Sequence, residues 1–292
     1  MTLAEQLSAY PLLYVDTPLG RFAYRHAGRG SESGSGSGSA GNSAADTTHH
    51  STPLVLLHGI GSASASWLRQ LQTLSTERSV LAWNAPGYTG STPLLVPCPA
   101  AADYAVRMWA WLDALGVGKI TLAGHSLGAL MAGAATRIAP ERVERLFLFA
   151  PAGGYGQAEA SVRETKLRER LTTLATLGPQ GMAEKRGAAL LSPAAPADEI
   201  AFIKSVMAEI EPAGYTQAVQ MLMQGDLAAD LAHVQCPIKV ASGSADTITP
   251  PAACQAVAAA ARTPWIDLGA AGHACPLEAP SIINRLLRGA GA

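Results

Sequence analysis

A side-chain hydroxyl attacks a carbonyl only when a base takes its proton and a third group holds that base in the right tautomer. The segment Ile120-Thr121-Leu122-Ala123-Gly124-His125-Ser126-Leu127-Gly128-Ala129-Leu130-Met131 is an apolar run, a G-x-S-x-G turn and a helix-forming run. That order puts Ser126 on a sharp strand-to-helix turn, where Gly124 and Gly128 leave it room and the helix start favours negative charge. Downstream, Ala241-Ser242-Gly243-Ser244-Ala245-Asp246 and Leu268-Gly269-Ala270-Ala271-Gly272-His273 each end an apolar run in a Gly-bearing turn. Asp246 and His273 therefore fall at strand ends, where sites in open parallel sheets gather. Taken singly, Ser126 reads as a turn residue, Asp246 as a helix cap and His273 as a loop imidazole. Their joint placement predicts a Ser126–His273–Asp246 catalytic triad.

A tetrahedral intermediate also needs donors aimed at its oxyanion. Leu57-His58-Gly59-Ile60-Gly61 closes another apolar run with a Gly-rich turn, and the expected donors are the backbone N–H groups of Ile60 and Leu127. A phosphate-cradling loop is the competing reading of this turn. It lacks the lysine of a P-loop and the G-x-G-x-x-G spacing of a dinucleotide site.

Elements that could hold these residues follow from hydrophobic periodicity. Leu13–Asp16 and Arg21–His26 flank Thr17-Pro18-Leu19-Gly20 and read as an opening hairpin. Beyond Pro53, strands are expected at Leu54–Leu57, Ser79–Trp83, Ile120–Gly124, Val143–Phe149, Ile238–Gly243 and Thr263–Leu268. Helices are expected between them at Ser66–Leu74, Ala100–Leu115, Ala129–Ile138 and Ala252–Ala261. Alternating runs of this kind predict an α/β protein with a mostly parallel sheet flanked by helices.

Residues 156–233 break the alternation. Ser161–Leu177, Gly181–Leu191, Ala197–Ile210 and Gly214–Gln224 read as helices with no strand among them, so they are expected to form a helical cap inserted between core segments 1–155 and 234–292. An enclosed small-molecule site is expected beneath it. Its basic residues Arg163, Lys166, Arg168, Arg170, Lys185 and Arg186 could include one that pairs with a substrate carboxylate, but they are interleaved with Glu164, Glu169 and Glu184, a run that more often is a solvated helix face, and none is assigned a ligand. Trp67, Trp83, Trp109, Trp111 and Trp265 read mainly as core, with Trp67 near the pocket mouth.

The Gly/Ser-rich tract 28–52, which contains His49 and His50, is too poor in apolar residues to pack and reads as a flexible surface loop, not a metal site. Cys98, Cys236, Cys254 and Cys275 show no C-x-x-C pairing and read as packed or half-buried thiols. With 21 basic and 22 acidic residues in 292, the chain has a formal net charge of −1, which argues against nucleic acid as a partner. Charged residues make up only 15%, well below the roughly one quarter usual for soluble domains, so much of the chain should be packed. Apolar runs are far shorter than the roughly 18 residues of a membrane span. Met1–Pro11 lacks the pattern of a secretory signal, and a cytoplasmic location is the expectation. No cofactor is called for.

His58-Gly59-Ile60-Gly61 with Trp67, Asn84-Ala85-Pro86-Gly87-Tyr88-Thr89-Gly90-Ser91, Gly124-His125-Ser126-Leu127-Gly128, Gly243-Ser244-Ala245-Asp246 and Gly272-His273 together resemble the α/β-hydrolase superfamily along nearly the whole chain. The resemblance implies the α/β-hydrolase fold and a serine hydrolase of a small ester or lactone. Asn84 stands where that family commonly carries Asp, and tract 28–52 replaces a short turn. A serine nucleophile sets the chain apart from the carboxylate-dependent epoxide hydrolases and haloalkane dehalogenases, leaving ester, lactone, amide and C–C hydrolysis open. Gly178 to Asp230, with Pro212-Ala213-Gly214-Tyr215 and Gln224-Gly225-Asp226-Leu227, resembles the cap of 3-oxoadipate enol-lactonases, which implies cleavage of a small carboxylate-bearing lactone in aromatic catabolism. Esterases and cofactor-free haloperoxidase-like enzymes share such caps. A ligand receptor on the same scaffold is the alternative from outside enzymology.

Overall fold

The structure is a computed structural model that describes residues 1–28 and 52–289. Tract 28–52, with His49 and His50, falls almost wholly outside the described residues. Among those described, eight strands, β1 (Leu13–Thr17), β2 (Gly20–Ala27), β3 (Leu54–Leu57), β4 (Val80–Trp83), β5 (Ile120–His125), β6 (Val143–Phe149), β7 (Ile238–Ser242) and β8 (Trp265–Asp267), form one sheet. Their spatial order is β1-β2-β4-β3-β5-β6-β7-β8. The β1–β2 and β2–β4 pairs are antiparallel, and every pairing from β4 through β8 is parallel.

Helices α1 (Leu3–Leu7), α2 (Leu68–Leu74), α3 (Ala101–Ala114), α4 (Leu127–Ile138), α5 (Ala160–Arg186), α6 (Ala197–Ala208), α7 (Pro212–Gln224), α8 (Leu227–Leu231), α9 (Pro251–Ala260), α10 (Cys275–Glu278) and α11 (Pro280–Leu287) surround the sheet. Because side chains alternate across a strand, continuous apolar runs supply two cores at once. Val55, Leu57, Leu122, Leu146 and Leu148 join a cluster with Met108 and Leu112 of α3 and Leu130 of α4. Leu54, Leu56, Ala123, Phe147 and Phe149 point the other way, into a cluster with Leu71 of α2 and Ile283 of α11. The central strands are thus clamped from both sides, and their C-terminal ends form a rigid rim.

Between β6 and β7 lie α5 to α8. The break expected at Gly178-Pro179 is a kink inside α5, with Gly178 at φ 62°. No atom would obstruct a Cβ at Gly178, so its left-handed backbone, not space, selects glycine there.

Several expectations are corrected. The helix expected at 66–74 begins with a 3₁₀ turn, Ser64–Trp67, before α2. The last strand spans only Trp265–Asp267 because Thr263 completes the α9 exit turn, its N–H bonded to Ala258 O. Helices α1, α10 and α11 were not anticipated, being short or interrupted by Pro280. Cys98 is exposed rather than packed. Trp67 is fully buried and packs edge-on against His125 and Phe149, behind the serine turn and not at a pocket mouth.

Candidate functional site

Strand β5 is buried along its whole length and ends in Ser126, at φ 52° and ψ −117°. A non-glycine residue with that backbone carries strain of about 1–3 kcal/mol unless its surroundings hold it. Here the Ser126 N–H donates to Phe149 O at 3.0 Å, and the Ser126 carbonyl accepts from Ala129 and Ala152, each at 3.1 Å. The flanking glycines are required by contact: a Cβ on Gly124 would lie 2.4 Å from Gly128 O, and one on Gly128 would lie 2.4 Å from Leu57 O. Strand β3, the turn and α4 therefore meet backbone to backbone, and Ser126 projects above the sheet rim.

The residues singled out by chain order converge on this turn. Ser126 Oγ donates to His273 Nε2 at 2.9 Å, and His273 Nδ1 donates to Asp246 Oδ2 at 2.9 Å. Asp246 follows β7, and its Oδ1 accepts the N–H groups of Ile248 (2.8 Å) and Thr249 (3.0 Å). Burial pushes the Asp246 carboxyl up, but the hydrogen bond from His273 and the two backbone donors outweigh it and hold the group below its ordinary value. All three side chains belong to buried residues.

Two further residues brace them and a third orders the adjoining turn after β3; sequence reading missed these roles. Thr249 Oγ1 lies 2.9 Å from Asp246 Oδ2, 3.1 Å from His273 Nδ1 and 3.0 Å from Ala150 O. The Asp-x-x-Thr spacing was the available signal, since such a turn returns residue i+3 onto the carboxylate. His125 Nε2 donates to the His273 carbonyl at 2.7 Å, tying the serine turn to the loop that carries His273. Burial lowers the pKa of His125 to about 3, so the ring stays neutral. His58 Nδ1 donates to Gly59 O at 2.8 Å, and its Nε2 accepts the Ala85 N–H at 3.0 Å. Burial lowers this imidazole to about 4.

Ile60 and Leu127 both line the cavity above Ser126. Tyr88 Oη donates to Ile60 O at 3.0 Å and so fixes the orientation of that turn. Leu127 is the first residue of α4, so its N–H has no intrahelical acceptor. Asn84, at the position where the sequence departs from the expected Asp, accepts from Ser64 N–H at 2.8 Å and donates to Thr89 O at 2.8 Å. It organises the adjoining loop and touches none of Ser126, His273 and Asp246.

The cavity has a volume of about 570 Å³, within the usual size of small-molecule sites. Ser126, His125 and His273 contribute to its floor, while Met182, Met207, Tyr215 and Leu222 come from α5 to α7. Arg170 and Arg186 also line it, whereas the run in sequence reads mainly as a solvated helix face. Among the described residues no group of three or more His, Cys, Asp or Glu side chains is arranged to hold a metal ion, and no helix is long and apolar enough to cross a membrane.

A family model described as "Alpha/beta hydrolase family" matches residues 54–286. An (E)-2-((N-methylformamido)methylene)succinate hydrolase of Acinetobacter baylyi is 26% identical over 203 residues, which is 66% of this chain and 72% of the relative. A thermophilic esterase from Thermogutta terrifontis, solved with malate bound, superposes with a TM-score of 0.77 at 22% identity, covering 96% of this chain and 97% of the other. The enol-lactonase from Burkholderia xenovorans gives 0.76 at 20% identity, covering 95% and 98%. At these identities the two structures speak for the fold alone.

Proposed function

Given that the chain belongs to the alpha/beta hydrolase family, we propose that it is a serine hydrolase cleaving a small ester or lactone through an acyl-enzyme on Ser126. The observation that carries this reading is the continuous Ser126–His273–Asp246 hydrogen-bond chain, both links 2.9 Å, opening onto a cavity of about 570 Å³. In the proposed reaction Ser126 Oγ attacks the carbonyl carbon while its proton passes to His273 Nε2. Asp246 keeps the Nδ1–H tautomer and offsets the imidazolium charge.

The oxyanion is received by the Ile60 and Leu127 N–H groups, each such donor contributing on the order of 10²–10³ in rate. His273 then returns the proton to the leaving alkoxide, which departs as an alcohol or, from a lactone, as the hydroxyl end of the opened ring. Water attacks the acyl-enzyme by the same route and releases the acid and free Ser126. Helices α5 to α8 act as the cap, excluding bulk water and limiting substrate size.

An esterase and an enol-lactonase share the fold over nearly all of the chain, which makes esters and lactones the first substrates to test. The test is treatment with a fluorophosphonate followed by peptide mass spectrometry, together with a panel of p-nitrophenyl esters, lactones and C–C hydrolase dienones. A single adduct on the Ser126 peptide and sustained ester or lactone turnover are expected. Labelling that persists in Ser126→Ala, or ligand binding without turnover, overturns the assignment.

A further inference from the structure

Ser126 and Asp246 fix the two ends of the His273 imidazole, but the backbone that carries it is held from three other directions. The Gly272 N–H donates to Glu278 Oε2 at 2.9 Å, the His273 carbonyl accepts from His125 Nε2 at 2.7 Å, and the Ala274 N–H donates to Leu190 O at 2.7 Å. Two of these anchors lead to residues 190–192, which join the 3₁₀ turn Ala188–Leu190 to α6. Glu278 makes the junction: its Oε1 accepts the Ser192 N–H at 2.8 Å while Oε2 holds Gly272. A Cβ on Gly272 would lie 2.5 Å from both Leu191 C and Ser192 N, so the two backbones touch. Leu191, Ala274 and Leu277 then share one apolar cluster with Phe202, Ile203 and Val206 of α6.

Glu278 is the last residue of α10 and is half-buried. Among the described residues, no ion pair includes it. Its two oxygens are instead met by two backbone N–H groups from different segments, and hydrogen bonds to an ionised carboxylate are roughly twice as strong as neutral ones. Ala274, Pro276 and Leu277 line the cavity above Ser126, and Glu278 does not. Any effect of Glu278 on the reaction therefore runs through the loop that carries His273.

We propose that Glu278 is a positioning residue that locks residues 190–192 to the 272–274 loop, so that docking of the cap and seating of His273 between Ser126 and Asp246 are a single event. This rests on the serine hydrolase reading, with His273 as the base and α5 to α8 as the cap. Misplacing a catalytic group by about 1 Å costs on the order of 10²-fold in rate, so even partial release of the loop is visible in kcat.

Residue-resolved amide hydrogen exchange and ester kinetics on Glu278→Ala and Glu278→Gln test it. In Glu278→Ala, exchange should accelerate at Ser192 and Gly272, which lose their acceptor, and also at Ala274, whose own acceptor is untouched. The kcat should fall at least about tenfold with KM within about threefold. Glutamine offers one acceptor oxygen to two donors, so Glu278→Gln should fall between Glu278→Ala and the unaltered protein in both measurements. Circular dichroism checks folding, and if Glu278→Ala does not fold, accelerated exchange at Ala274 and a lowered kcat are required of Glu278→Gln. Acceleration confined to Ser192 and Gly272, or an unchanged kcat in the folded variant, overturns the proposal. Exchange reads the link without turnover: an unaltered protein that is inactive, with acceleration reaching Ala274 in the variant, sinks only the hydrolase reading. An active protein whose Ala274 stays protected in the variant sinks only the positioning role.

Discussion

Thr249 Oγ1 lies 3.1 Å from His273 Nδ1 while also lying 2.9 Å from Asp246 Oδ2, so one hydroxyl touches both members of the acid–base pair. Its contact with Ala150 O at 3.0 Å anchors it to the loop after β6. On the proposed mechanism Thr249 is a positioning residue that limits rotation of the imidazole and carboxylate. Thr249→Val keeps the shape and removes the hydroxyl; kcat should fall about tenfold with KM within about twofold, and Thr249→Ser should restore most of it. An unchanged kcat in the valine variant would deny the role.

Ser126, His273 and Asp246 should fail as a unit. Ser126→Ala and His273→Ala should each lower kcat by several orders of magnitude, with the double variant little worse than either. Asp246→Asn should fold normally yet lose roughly 10³–10⁴ in rate, because the amide favours the wrong imidazole tautomer. Steady-state kinetics on one ester decides it, and multiplicative losses would be inconsistent with a shared mechanism.

Two buried histidines should make stability depend on pH. Burial lowers His58 from an ordinary 6.5 to about 4 and His125 from 6.5 to about 3. The unfolded chain takes up a proton on each ring below about pH 6.5, while the folded chain resists, so stability present above that pH is lost as pH falls toward 4 and, for His125, toward 3. For His58 the structural reason is direct, since its Nε2 lone pair accepts the Ala85 N–H. A proton there would face another proton. Each ring contributes a slope of about 1.4 kcal/mol per pH unit. Urea unfolding from pH 7 to 4.5 should show the decline, and His58→Gln should remove about half of it; a flat profile would count against both neutral rings.

Replacing Gly124 or Gly128 should disrupt the serine turn through backbone contact. A Cβ on Gly124 would sit 2.4 Å from Gly128 O and one on Gly128 2.4 Å from Leu57 O, and no side-chain rotation relieves either clash. Gly124→Ala should cost more than about 2 kcal/mol in denaturant unfolding and abolish fluorophosphonate labelling. A stable, fully labelled Gly124→Ala protein would show that the turn can be rebuilt.

Much of the fold was legible in sequence because its signals are local. Continuous apolar runs at Leu54–Leu57 and Val143–Phe149 report strands buried on two faces, and the G-x-S-x-G turn at Ser126 carries its own backbone demand. The order Ser126, Asp246, His273 named residues that the sheet brings within hydrogen-bond range although 147 positions separate Ser126 from His273. Tertiary structure alone decided what depends on non-local burial and pairing. Arg170 and Arg186 share a charge pattern with their solvated neighbours, and only the packing of α5 against α6 and α7 brings them into the cavity lining. His125 and His58 look like ordinary motif residues until enclosure removes their water and lowers their pKa. A sequence states which groups the chain carries; which are desolvated, and against what, is settled when segments far apart in the chain close on one another.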